Sequence, residues 1–182
     1  MEIHIREAKP NDVDALSVLA KQTYATAFGH SMAFADLEAH LKNHLSPEKI
    51  GESLLKDVFL LTCVEDEIIG FVQFGESHIE QEHIVKTASF VFHPHDKEIR
   101  RLYVLAPYQN RGIGSQLMDT ALTHSLLATN SNIFLDVWED NERAQRFYER
   151  YGFEKVAEKH FCVDSGVETG VDFVMVRRSR KS

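Results

Sequence analysis

The sequence predicts an α/β or α+β fold, a sheet covered by helices, on three observations. Short runs rich in branched and aromatic residues alternate with runs of helical periodicity. A Gly-x-Gly element joins the end of one predicted strand to the start of a helix. The 182 residues, 43% of them hydrophobic, suffice for a single domain, residues 1–182, with a real core.

Ile3 and Ile5 alternate with His4 and Arg6 in the manner of a short strand, and Pro10-Asn11-Asp12 turns the chain into a helix. That helix covers 13–28, where Val13, Leu16, Leu19, Ala20, Tyr24 and Ala27 recur at helical spacing. Residues 31–55 read as one or two further helices, the second opened by Ser46 as cap and Pro47 at the first helical position. Strands at 58–64 and 68–74 flank Glu65-Asp66-Glu67 and predict a hairpin. The polar, histidine-rich stretch 75–97 has no period from which an element can be assigned. A strand at 98–105 stops at Ala106-Pro107. An amphipathic helix over 112–128 follows, with Ile113, Leu117, Met118, Ala121 and Leu122 on one side. A strand at 133–138, a helix at 142–151 and strands near 153–163 and 172–178 complete the chain. No repeat, linker or low-complexity tract interrupts it.

Twenty basic against 28 acidic residues give a formal charge of −8, which argues against non-specific nucleic-acid binding and favours cationic partners. Cys63 and Cys162 form no CxxC pair, so neither a disulfide framework nor a zinc finger is expected. No stretch approaches the roughly 18 uninterrupted apolar residues of a membrane span, and a soluble cytoplasmic protein is the expectation. The histidine groups His78-Ile79-Glu80-Gln81-Glu82-His83 and His93-Pro94-His95-Asp96 lack the spacing of a zinc-protease helix, and no metal is expected.

The most informative stretch is LYVLAPYQNRGIGSQL, residues 102–117. Glycines 112 and 114 let the backbone approach a ligand, and the unpaired N–H groups of a first helical turn bind oxyanions. By itself Gly-x-Gly also suits a tight turn with no ligand. A P-loop would need Gly-Lys-Ser/Thr, and a dinucleotide fingerprint a third glycine two residues after Gly114; Gln116 and Leu117 stand there instead.

What remains, Gln109-Asn110-Arg111-Gly112-Ile113-Gly114, resembles the Q/R-x-x-G-x-G/A signature of GNAT superfamily N-acetyltransferases. The resemblance implies a central mixed, mostly antiparallel, twisted sheet of about seven strands, splayed at the acetyl-CoA site and flanked by helices. It also implies that the main chain of Gln109, Asn110, Arg111, Gly112, Ile113, Gly114 and Ser115 holds the coenzyme A pyrophosphate. Leu102, Tyr103 and Val104 would then pair with the pantetheine arm.

A second block, residues 133–156, resembles the same superfamily's Asn-x-x-A-x-x-F/L-Y-x-x-x-G-F pattern. On a helix, Asn141 and Tyr148 point about 20° apart, with Ala144, Phe147 and Tyr151 forming a neighbouring apolar stripe. A cap and a core aromatic would explain both residues without chemistry. The resemblance implies instead that Asn141 contacts the coenzyme and that the Tyr148 hydroxyl lies near the thioester sulfur. The chemistry asks for such a donor: attack by an amine expels a thiolate of pKa about 8.5, which a phenol of pKa about 10 can protonate. The attacking alkylammonium, pKa about 10.4, must lose a proton first. Glu98 stands where histone-type members keep a catalytic glutamate and is the candidate base; a solvated residue at a strand end is the alternative.

Across its whole length the chain resembles bacterial spermidine/spermine N-acetyltransferases of this superfamily, in residues 23–28, 98–104, 137–141, His160-Phe161, Asp172 and Met175. That implies a polycationic small-molecule amine as acceptor, and superfamily relatives are often homodimers. Glu38, Glu76, Glu80 and Glu82 are candidates to attract a polycation, or plain surface groups. A protein or peptide amine acetyltransferase and a non-catalytic acyl-CoA-binding regulator are the alternatives; Tyr148 together with Asn141 argues against the second.

Overall fold

The computed structural model describes residues 2–79, 84–87 and 91–179. The chain divides into two units, residues 1–74 with 101–124, and residues 75–100 with 125–182.

In the first unit β1 (Ile3–Glu7), β2 (Val58–Val64) and β3 (Glu67–Glu76) form antiparallel ladders, with Ile5 opposite Thr62 and Leu60 opposite Val72. The predicted β2–β3 hairpin is present, turning at Glu65, whose φ is 53°. β5 (Lys97–Val104) lies next to β3, and its last four residues belong to this unit. Gly70 is needed there: a Cβ would stand 2.9 Å from the Tyr103 carbonyl oxygen.

Three helices precede the hairpin: α1 (Val13–Phe28), α2 (Phe34–Leu45) and α3 (Pro47–Leu54). Asp12 fixes the entry to α1, accepting from both terminal nitrogens of Arg6 at 2.8 Å and from the Lys9 N–H at 2.7 Å. The Arg6 guanidinium accordingly holds the Asp12 carboxyl below its usual range. Leu16, Leu19, Ala20 and Tyr24 form the buried stripe of α1, as the 3.6-residue period requires. Ser46 accepts from the Lys49 N–H and, with Pro47 behind it, opens α3 as expected.

α4 (Ile113–Thr123) buries Ile113, Leu117, Met118 and Ala121. It ends five residues before the predicted 128. His124 turns to extended backbone (φ −65°, ψ 139°), and the Thr120 and Thr123 hydroxyls bond back to carbonyls of the preceding turn, a competition that weakens a helix end.

The second unit holds β4 (Ile84–Thr87), the start of β5, β6 (Ile133–Trp138), α5 (Glu142–Arg150), β7 (Glu154–Cys162) and β8 (Glu168–Arg177). Its strand order is β5-β6-β8-β7-β4. Only β5–β6 is parallel here; β6–β8, β7–β8 and β4–β7 are antiparallel, giving the mixed, mostly antiparallel sheet that was expected. β4 raises the described strands to eight and lies in the stretch to which no element was assigned. The β5–β6 ladder comprises two pairs, Lys97 with Ile133 and Glu98 with Phe134. Phe134, Val156, Ala157, Val174 and Val176 make the core, covered by Ile79, Ile84 and Phe92. Asp96 ties this corner down by accepting from the N–H groups of His93 and Asn132 and from the Asn132 amide. Among the described residues no helix is long and apolar enough to cross a membrane.

Candidate active site

The predicted phosphate loop lies in the first unit, between the end of β5 and α4. Ala106–Tyr108 form one 3-10 turn, after which Asn110 (φ 60°) and Gly112 (φ 79°) take left-handed backbone. A Cβ on Gly112 would meet nothing within 4 Å, so glycine is required for the dihedral and not for space. The Gln109 side chain donates to the Val104 carbonyl at 2.9 Å and so ties the loop to the strand it leaves. Arg111 stacks over Tyr108 at 6.0 Å from the ring centre.

Gly112 is the N-cap of α4, and the first intrahelical bond is Gln116 N–H to the Gly112 carbonyl at 3.0 Å. The amides of Ile113, Gly114 and Ser115 therefore precede the helical ladder, Gly112 offers no side chain as a cap, and no acidic residue stands in the first turn. Gly112 is exposed, and Gly114 and Ser115 are half-buried. A helix start capped by glycine alone, with its dipole behind it, attracts phosphate oxygens. Leu102 and Tyr103 are half-buried and Val104 is buried.

Glu98, Asn141 and Tyr148 lie in the second unit. The Asn141 side chain accepts from the Ala144 N–H at 3.1 Å, so it caps α5. Gln145 reinforces that helix start by donating to the carbonyls of Trp138 and Glu139. Tyr148, half-buried, stands two turns on; its ring meets Phe153 at 5.9 Å and Phe147 at 5.4 Å, both edge to face. Arg143, Arg146, Glu149 and Arg150 are exposed, as the predicted helical faces require.

Glu98 is buried, not solvated. Its Oε2 accepts from Arg100 at 2.7 Å and from the His78 N–H at 2.8 Å. Of the acidic residues named for a polycation, Glu76 is paired with Lys97 at 2.6 Å, and Glu38 is exposed on α2. Glu80 and Glu82, with His83, lie outside the described residues.

One group was not singled out as a site from the sequence. Asp136 on β6 and Lys159 on β7 form an ion pair, and Asp172 on β8 stands directly opposite both Lys159 and Trp138. Burial raises the Asp136 pKa against the pull of Lys159. Burial also opposes the Lys159 ammonium, but Asp136 outweighs it, with Asp172 and Glu98 adding, so that lysine keeps its proton more firmly than usual. Asp172 is pushed up to about 6 by burial and then by Asp136, against Lys159, with Glu139 adding. The legible signal was an aspartate inside the apolar strand IFLDVW; its partners, 23 and 36 residues away, come together only through strand register.

The chain belongs to the acetyltransferase (GNAT) family, whose family model matches residues 21–153, and it is an N-acetyltransferase of that type. It is 25% identical over 175 residues to an uncharacterized N-acetyltransferase of Lactobacillus delbrueckii subsp. lactis, covering 95% of each chain. It is 37% identical over 71 residues to N-alpha-acetyltransferase 50 of Danio rerio, 36% of this chain and 42% of that one. Its fold is similar to that of PaiA N-acetyltransferase from Thermoplasma acidophilum, solved in complex with coenzyme A. There the TM-score is 0.72 and the identity 20%, over 98% of this chain and 99% of that one.

Proposed function

We propose that the protein transfers the acetyl group of acetyl-CoA directly to a primary amine of a polyamine such as spermidine or spermine. The observation that carries this reading is the start of α4 at left-handed Gly112, an N-cap with no side chain of its own, where main-chain N–H groups of a first helical turn make an oxyanion site. Residues 109–115 hold the diphosphate of the cosubstrate, and Leu102, Tyr103 and Val104 receive its pantetheine arm. Asn141 contacts the same arm while capping the helix that carries Tyr148. The Tyr148 hydroxyl gives its proton to the departing thiolate. Glu98 accepts the proton of the incoming ammonium, through water where Arg100 and His78 occupy its Oε2. No separate nucleophile is needed, because positioning and proton handling suffice for direct transfer.

A polycationic acceptor is supported by the charge of −8 and by the resemblance of residues 23–28, 98–104 and 137–141 to polyamine acetyltransferases. The likeness to N-alpha-acetyltransferase 50 favours a second reading, transfer to a peptide amine. Thiol release from acetyl-CoA, followed with spermidine, spermine, aminoglycosides, amino acids and basic peptides, separates them. Turnover of spermidine or spermine is expected; activity confined to peptides removes the polyamine reading.

A further inference from the structure

Asp136, Lys159 and Asp172 share one face of the second unit's sheet. Asp136 lies opposite Val174, Val174 opposite Ala157, and Asp172 opposite Lys159, so Lys159 reaches diagonally across β8 to its partner. That ammonium bonds Asp136 Oδ2. Asp136 Oδ1 is closed off from solvent and accepts no hydrogen bond from a described residue, an unusual state for a carboxylate oxygen. Asp172 is half-buried and has no cation bonded to it among the described residues.

The wider charge set carries an excess of negative charge as well. Asp136, Asp172 and Glu98 act on Lys159, Asp136 and Glu139 act on Asp172, and Arg100 is bonded to Glu98. Among the described residues this group holds four carboxylates and two cations. The Lys159 ammonium shows which chemistry suits the remaining charge: a primary alkylammonium able to donate several hydrogen bonds.

We propose that Asp172, with the buried Asp136 behind it adding negative charge, anchors an ammonium group of the acceptor amine and thereby selects polycations. The proposal rests on the polyamine reading and extends it. A polyamine offers one nitrogen to the acetyl group and a second, still charged, to this anchor. Asp172 is then a specificity-determining residue and takes no part in breaking the thioester. Titration fits the role: binding needs Asp172 ionised, so affinity for the amine is lost as pH falls through about 6. The charged groups facing it are Asp136 and Glu139 from the β6 side and Lys159 from β7, with Glu98 acting through Asp136 and Lys159.

The test compares wild type with Asp172→Asn and Asp172→Glu, using the amine that wild type acetylates best. Asp172→Asn is expected to raise the KM for the amine about tenfold or more, leaving the KM for acetyl-CoA and the kcat within about twofold; Asp172→Glu recovers part of the loss. An unchanged amine KM in Asp172→Asn overturns the anchor. Should that variant fail to fold, the wild-type amine KM is measured from pH 5 to 8: a rise below about 6 supports the anchor, and a flat profile overturns it. Wild type that acetylates peptides alone, or no amine, removes the polyamine reading itself, and the anchor with it.

Discussion

Gln109 and Val104 are joined by a hydrogen bond of 2.9 Å, from the glutamine side chain to the carbonyl that ends β5. This bond closes the loop back on its own strand, and in the turn that follows Asn110 and Gly112 take left-handed backbone. α4 thereby starts at a glycine N-cap in left-handed backbone.

Gly112→Ala places a side chain at φ 79°, a conformation costing about 1–2 kcal/mol for an L-residue. The loop relaxes away from its anion-binding geometry, and coenzyme A affinity is expected to fall about tenfold in calorimetric titration. Gly112→Asn, which tolerates left-handed backbone, should lose less.

Asn141→Ala removes the cap of α5 and should destabilise the fold by about 1 kcal/mol, seen as a Tm lower by about 2–4 °C. A coenzyme contact by the same side chain adds a rise in the KM for acetyl-CoA. Asn141→Ser separates the two effects, since serine restores the cap but not the amide.

Tyr148→Phe keeps the ring that packs on Phe153 and removes only the hydroxyl. Turnover should drop by about a hundredfold or more, with acetyl-CoA affinity nearly unchanged. An unaltered kcat would show that another group protonates the thiolate.

Burial, and then Asp136, push the Asp172 carboxyl up to about 6 in the folded chain, above the ordinary carboxylate value of 3.8. A raised folded pKa means that ionisation opposes folding: the fold is favoured below the unfolded value, and the advantage is lost as pH rises through about 6. Asp172→Asn should therefore raise Tm at pH 8, by the equivalent of at most about 3 kcal/mol, and leave it unchanged near pH 3. Melting curves at the two pH values check this.

Most elements were legible because each carries its own local signal. The stripe of α1, the Ser46-Pro47 start of α3 and the spacing of Asn141 and Tyr148 on α5 depend on neighbours within a few residues. β4 was not legible, since four residues in a polar stretch hold no periodic pattern and owe their extended form to pairing with β7. The end of α4 was overrun because Leu126 and Leu127 continue its apolar spacing beyond the point where His124 leaves the helix. Glu98 reads on paper as a strand-end residue, and only the fold shows its burial and its bond to Arg100. The Asp136, Lys159 and Asp172 group is non-local in the same sense, assembled by the registers of β6, β7 and β8.

Titrating coenzyme A into the purified wild-type protein in a calorimeter bears most directly on the whole account. Saturable uptake of one equivalent per chain is predicted, with a dissociation constant at or below about 1 mM. A folded protein that takes up neither coenzyme A nor acetyl-CoA at that concentration would contradict it.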